Sequence, residues 1–388
     1  IFRGGSPRPI QAFLTTSDQG INWIKIGDVG AGEKFIESTE EKIIPEGVSR
    51  SRMVYKGDLI LSNSMSYGRP YIMNIEGCIH DGWLVIQKYD RLFNREYLYY
   101  ALSSDLTMQQ YVAMAAGSSV QNLNKEKVSK VVLPCPKILE QKKIAEVLSS
   151  IDALIVDLQK LIQKKKDIRR GSLQFYLNDK NRYEWVECPI TELLKSGGIK
   201  IGPFGSQLKK EMLLLDGLYK VYGQENVYER DFSIGGRFLT PEHFQRLNSC
   251  EIIPGDFLMS TMGTIGKCAI VPEHIQRGIM DSHLIRLRFD EKKIEQRYIL
   301  HLFSDQFDYL KRQTQQLSVG GIMEGLSVAI VSKLIVRYPK KAKDQKEIIE
   351  IFDAMNLEIR KLEEKLSKYQ KIKQGMMEEL LTGKVRLM

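Results

Sequence analysis

Three loop sequences carry side chains suited to holding a polyanion and reading polar edges, and each occurs twice. Arg3-Gly-Gly-Ser-Pro-Arg-Pro9 is answered by Gly202-Pro-Phe-Gly-Ser-Gln-Leu-Lys-Lys210, and Ser62-Asn-Ser-Met-Ser-Tyr-Gly-Arg69 by Ser260-Thr-Met-Gly-Thr-Ile-Gly-Lys267. The third pair is Gly117-Ser-Ser-Val-Gln-Asn-Leu-Asn124 and Gly320-Gly-Ile-Met-Glu-Gly-Leu-Ser327. Glycine lets a backbone approach a phosphate closely, while Arg, Lys and Ser supply donors. Gln and Asn can pair with adenine, and Arg or Lys with a guanine edge. The same Gly, Ser and Asn also build ordinary turns, so no single loop decides the chemistry. The third pair is informative because its members differ: Ser118, Ser119, Gln121 and Asn122 stand opposite Gly321, Ile322, Met323 and Glu324. Equal scaffolds carrying unequal loops would read unequal sequences.

A duplicated unit must position these loops. Val54-Tyr-Lys-Gly-Asp-Leu-Ile-Leu-Ser62 aligns with Ile252-Ile-Pro-Gly-Asp-Phe-Leu-Met-Ser260 at an offset of 198, and the match continues through Gly68-Arg69 and Gly266-Lys267. The stretch 95–102 answers 296–303, Val128–Leu133 answers Val331–Val336 at 203, and Glu140-Gln141-Lys142 answers Asp344-Gln345-Lys346 at 204. A slowly drifting offset means one module of about 200 residues used twice, with small loop insertions. The second copy opens with residues 182–200, which the first lacks, so symmetry predicts about 15–20 residues ahead of Ile1. Each copy begins as an α+β globule. Apolar runs at Asp58–Ser62 and Asp256–Ser260, bounded by Gly, Pro, Ser and Asn, read as strands, and Tyr97–Leu102 and Tyr298–Phe303 as short helices.

Each copy ends in a long helix. Ile144, Val147, Ile151, Leu154, Leu158, Leu161 and Ile168 fall at heptad spacing with Lys165 intruding; Phe352, Met355, Ile359, Leu362, Leu366, Tyr369, Met376 and Leu380 do so with Lys373 intruding. A helix of ~40 residues is ~60 Å long, more than one small globule can cover. The expected fold is therefore α+β, two globules separated by two long helices in an antiparallel coiled coil, with a pseudo-twofold internal repeat. Ile144, Ile151, Leu158, Phe352, Ile359 and Leu366 are the residues expected at the partner-helix interface. The expected parts are globule 1–138, helix 139–180, globule 181–340 and helix 341–388. Two globules at opposite ends of such a rod suit a reader of two separated sites on one duplex.

The 388 residues carry 57 Lys+Arg against 48 Asp+Glu, a net charge of +9 with a pI near 9.1. That charge is diffuse: +3 lies in residues 140–177, +1 in 343–387, and +5 in the two globules together. No polyelectrolyte tail exists to dominate affinity by counterion release, so contacts must come from loops. Mean hydropathy is −0.26 and no apolar run approaches the ~18 residues of a membrane helix, so a membrane protein is excluded. Five cysteines without a C-x-x-C pair fit a reducing cytoplasm better than a disulfide or zinc scaffold. The chain begins Ile1-Phe2-Arg3, without the apolar core of a signal peptide.

No enzyme signature survives inspection. There is no Asn-Pro-Pro-Tyr, no H-E-x-x-H, and Gly263-Thr-Ile-Gly-Lys267 lacks phosphate-loop spacing. Asp256 with Glu291-Lys292-Lys293 resembles a loose nuclease set, but the first copy matches Asp58 and not the Glu-x-Lys. His283, beside Asp281-Ser282, is opposed by Trp83, which argues against a duplicated catalytic role.

The chain resembles the specificity (S) subunits of type I restriction-modification enzymes. Gly4-Gly-Ser-Pro-Arg-Pro9 followed by Trp23-Ile-Lys-Ile-Gly-Asp28, the opening Gly202-Pro-Phe-Gly-Ser-Gln-Leu-Lys209, the Gln141-Lys142 and Gln345-Lys346 helix starts, and the closing Leu380-Leu-Thr-Gly-Lys-Val-Arg-Leu387 carry the resemblance. It spans the whole chain in the family's order, apart from a shortened start. It implies two target recognition domains, each reading one half of a split, asymmetric double-stranded DNA target. The paired helices would set the spacer and dock two methyltransferase (M) subunits, with restriction (R) motor-nuclease subunits completing the enzyme. S-adenosylmethionine and ATP would bind only those partners, and this chain would hold no cofactor or metal and catalyse nothing. On that reading Arg3, Ser6, Arg8, Ser64, Tyr67, Arg69, Gln121 and Asn122 contact the first half-site. Ser206, Gln207, Lys209, Thr261, Thr264 and Lys267 contact the second. A coiled-coil protein-interaction scaffold without DNA readout is the alternative.

Overall fold

The computed structural model describes residues 1–30, 32–63, 68–115, 123–178, 182–303, 309–318 and 325–387. The chain divides into two compact units, Ile1–Gln159 with Glu364–Met388, and Lys160–Glu363. Each unit contains one globule and one half of each long helix.

In the first unit one sheet runs Phe2–Arg3, Trp83–Ile86, Leu59–Ser62, Pro70–Met73, Phe35–Ile36 in spatial order. In the second the corresponding sheet runs Leu194–Ile201, Leu284–Phe289, Phe257–Ser260, Cys268–Ile270. Each globule adds another sheet in which a central strand pairs parallel with a later one: Ile21–Ile24 with Gly77–Ile79, and Tyr219–Tyr222 with Gly278–Met280. The runs expected as strands are strands, and the expected short helices are Arg95–Ser103 and Gln296–Leu302. Strands Leu59–Ser62 and Phe257–Ser260 are buried at every position, which explains their unbroken apolar character.

The repeat extends to individual hydrogen bonds. The amides of Gly57 and Gly255 donate to Met73 O and Val271 O at 2.7 and 2.9 Å. Buried Gln141 accepts from Asn94 N and donates to Pro136 O; buried Gln345 accepts from Glu295 N and donates to Pro339 O. These glutamines fasten the long helices to their globules, which explains why both helix starts carry one.

The long helices are Ile138–Asn178 and Ala342–Leu381, 41 and 40 residues. Within each unit the two halves run antiparallel: Asp152 meets Lys373 at 2.6 Å in the first, and Lys165 meets Glu358 at 2.6 Å in the second. Ile144, Ile151, Leu158, Phe352 and Ile359 are buried and Leu366 half-buried. The stripe expected on the first helix needs correction. Leu154, Leu161 and Ile168 are exposed, at 49, 39 and 46%, and the inward positions alternating with Ile151, Leu158 and Lys165 are Leu148, Ile155, Ile162 and Arg169. Steps of three then four and of four then three both sum to a heptad, and Leu154-Ile155 and Leu161-Ile162 are apolar doublets, so periodicity does not distinguish them. The stripe expected on the second helix is at least half-buried throughout.

Candidate nucleic-acid interface

The loop sets converge on one turn in each unit. In the first unit this turn, residues 80–83, joins strand Gly77–Ile79 to strand Trp83–Ile86. Gly4 N donates to Trp83 O at 2.9 Å, bringing the first loop onto the turn. A Cβ at Gly4 would collide with the carbonyl oxygen of His80, so glycine is required by the close approach. Arg3 Nε donates to Asp81 O at 3.0 Å, and Ser6 Oγ donates to Asp81 Oδ1 at 2.8 Å. The second loop arrives through Asn63, whose amide donates to Gly82 O and whose Nδ2 donates to Asp81 O. The third closes the set, with Leu123 N donating to Asn63 O at 2.9 Å.

The second unit repeats this wiring. Gly202 N donates to Leu284 O, Thr261 N to His283 O and Leu326 N to Thr261 O. A Cβ at Gly202 would strike the Asp281 carbonyl oxygen. The register corrects the sequence alignment: Leu284, not His283, occupies the place of Trp83, and His283 stands at the place of Gly82. The offset has drifted to 201 by this turn, so extending 200 across it misplaces one residue.

Loops Ser62–Arg69 and Ser260–Lys267 close alike. The hydroxyls of Ser62 and Ser260 accept from Arg69 N and Lys267 N, each at 3.0 Å, and Gly68 and Gly266 turn the chain with φ of 81° and 77°. In the second unit Tyr228 steadies the loop tip: its hydroxyl donates to Met262 O and accepts from Thr264 N.

Among the sequence-derived candidates, Arg3, Arg8 and Arg69 are exposed in the first unit and Ser6 is half-buried on Asp81. Gln207, Lys209 and Thr264 are exposed in the second and Lys267 is half-buried. Thr261 is buried, and its backbone links the turn to the third loop. Ser64, Tyr67, Gln121 and Asn122 lie outside the described residues, as does the side chain of Ser206 in the short helix Gly205–Gln207.

Sequence reasoning overlooked the first turn and weighed the second, at Asp281-Ser282-His283, only as a catalytic set. Asp81 lies at the convergence, 44% exposed, with its carboxyl pKa lowered chiefly by the Ser6 hydrogen bond and further by the Arg3 charge. Its neighbour His80 is pushed down by burial. In the second unit Arg237 donates to Asp281 at 3.0 Å and Glu225 at 2.7 Å; burial opposes its charge, but the two carboxylates outweigh it and raise the pKa. The signal was available in the repeat, because both turns precede matching strands, but neither belongs to a Gly- and Ser-rich loop. Pro7, Arg8, Trp23, His80 and Asp81 line a depression of about 810 Å³ beside the first turn. No group of three or more His, Cys, Asp or Glu suited to a metal occurs among the described residues, and no described helix is long and apolar enough to cross a membrane.

Residues 4–170 and 184–374 match the family model described as type I restriction modification DNA specificity domain. The type I restriction enzyme MjaVIII specificity subunit of Methanocaldococcus jannaschii is 21% identical over 376 residues, covering 92% of this chain and 84% of that protein. The crystal structure of a type I restriction-modification S subunit from M. genitalium superposes with a TM-score of 0.54 at 16% identity, covering 96 and 95% of the two chains. A chain from a study of complex assembly and conformational transition of a type I R-M system gives 0.59 at 15%, covering 98% of this chain and 94% of that one.

Proposed function

The chain belongs to the type I restriction modification DNA specificity family, and we propose that each unit reads one half of a split, asymmetric duplex sequence through its converged loops. As the specificity subunit of a multisubunit restriction enzyme, it recognises the DNA target, assembles with methyltransferase and restriction subunits, and is not itself catalytic. The carrying observation is the duplicated convergence: one scaffold, two turns and unlike side chains at them. Exposed Arg3, Arg8, Arg69 and Lys209 suit phosphates or guanine edges, and the amides of Gln121, Asn122 and Gln207 suit adenine.

We assign the parts as target recognition domains 1–138 and 181–340, with helices 139–180 and 341–388 as spacer and dock for two methyltransferase subunits. The place of action is the cytoplasm, where restriction subunits meet incoming DNA. The solved relative from the complex-assembly study supports a multisubunit arrangement of this type.

The test is methylome sequencing of cells expressing this chain with its cognate methyltransferase, alongside a salt titration of duplex binding. A methylated motif in two unlike halves and affinity falling steeply from about 50 to 200 mM salt are expected. Salt-independent binding with no bipartite motif would refute the reading and favour a protein scaffold.

A further inference from the structure

We infer that the turn at each loop convergence is itself a base-reading element, with Asp81 reading in the first unit and Ser282 with His283 in the second. The inference rests on the half-site reading above and names specificity residues within it.

Position comes first. The backbone of the first turn accepts from Gly4, Asn63 and Arg3, and its Asp81 carboxylate accepts from Ser6, so loops approaching DNA bring this turn with them. The second turn is bound to Gly202 and Thr261 in the same way. Asp81 remains 44% exposed and His283 45% exposed despite these bonds.

Chemistry then separates the two. An ionised carboxylate offers about four acceptor sites and no donor. Ser6 uses one, and Arg3 Nη2 lies 3.8 Å from the other oxygen, so acceptor capacity is left over. Phosphates repel a carboxylate, so the favourable partner for Asp81 at a DNA surface is a base edge. In the major groove the groups it can accept from are exocyclic amines, N4 of cytosine or N6 of adenine, while O6 of guanine and O4 of thymine oppose it lone pair to lone pair. The Asp81 position is Ser282 in the second unit, and the neighbouring Gly82 position is His283. Asp281 accepts from the His283 backbone N at 2.9 Å, which holds the turn, and its carboxylate lies 3.7 Å from Nδ1. A hydroxyl and an imidazole can both donate, so this turn suits purine N7 or O6. Only the second turn can therefore serve an acceptor edge.

The experiment assembles the full chain with its methyltransferase subunits and selects from duplexes with randomised half-sites. Asp81→Ala should flatten one base position of the first half-site by about ten-fold and leave the second half-site unchanged. His283→Ala should do the reverse. Unchanged base preferences in both Asp81→Ala and His283→Ala would overturn the inference, as would a uniform loss of affinity with preferences intact, which would mark the turn as a strut. A wild-type complex that selects no bipartite sequence would remove the half-site reading itself, a result distinct from the other two. Thermal melts within a few degrees of wild type exclude unfolding as the cause.

Discussion

Asp81 and Thr261 show how far residue type is from residue role. Thr261 has the chemistry of a reader but is buried; Asp81 has the charge DNA repels and stands at the centre of the loops. Glycine at 4 and 202 is explained by geometry, since the opposing carbonyl occupies the space of a Cβ. Gly202→Ala should destabilise the second unit by about 1–3 kcal/mol and lower the melting temperature by about 2–10 °C, read by calorimetry. Lys209 is exposed and outside the hydrogen-bond core of the site. Lys209→Ala should weaken binding to all duplexes about equally and reduce the salt slope by about one, measured by anisotropy across a salt series.

At the element scale, the polar intruders in the helix seams are organised by the repeat. In the first unit the Tyr100 hydroxyl donates to Asp152 at 2.6 Å, and Lys373 from the other helix pairs with the same carboxylate. In the second, His301 lies 3.2 Å from Asp353 and 3.5 Å from Arg169, which also covers the Phe352 ring. Arg297 pairs with Asp353 as well. Burial, against the pull of Asp353 and with the help of Arg169 and Arg297, pushes the His301 pKa from 6.5 down to about 4. The folded state thus resists a proton that the unfolded chain accepts. Stability should be full above about pH 6.5 and fall by roughly 1–3 kcal/mol as pH drops towards 4. His301→Tyr, which installs the first unit's residue, should flatten that part of the pH–stability curve in urea melts.

At the scale of the whole molecule, one scaffold is used twice and carries unlike side chains at its two turns. Duplication supplies the strands, the helix starts and the turn, while the side chains at the turn diverge. On the proposed reading, spacing between the halves is the task of the long helices. Removing one heptad from each should shorten the preferred unread spacer, scored by methylome sequencing, and an unchanged spacer would refute a measuring role. The diffuse charge fits this division: spread over the sequence and not gathered in one run, it leaves affinity to loops and partner subunits.

The sequence by itself determined the repeat, the α+β class, both long helices and the loops that meet at the site. Those features are local or periodic: matched strings at a slowly drifting offset, buried strands without polar breaks, apolar residues every three or four positions. Tertiary structure decided which member of each apolar doublet faces inward, because both choices satisfy a heptad and only the partner surface separates them. It decided that Asp81 and His283 sit where the loops meet, because hydrogen bonds between positions 18 to 78 residues apart leave no trace in spacing. It also withdrew Thr261 from the surface, since burial depends on what folds over a residue and not on what the residue is.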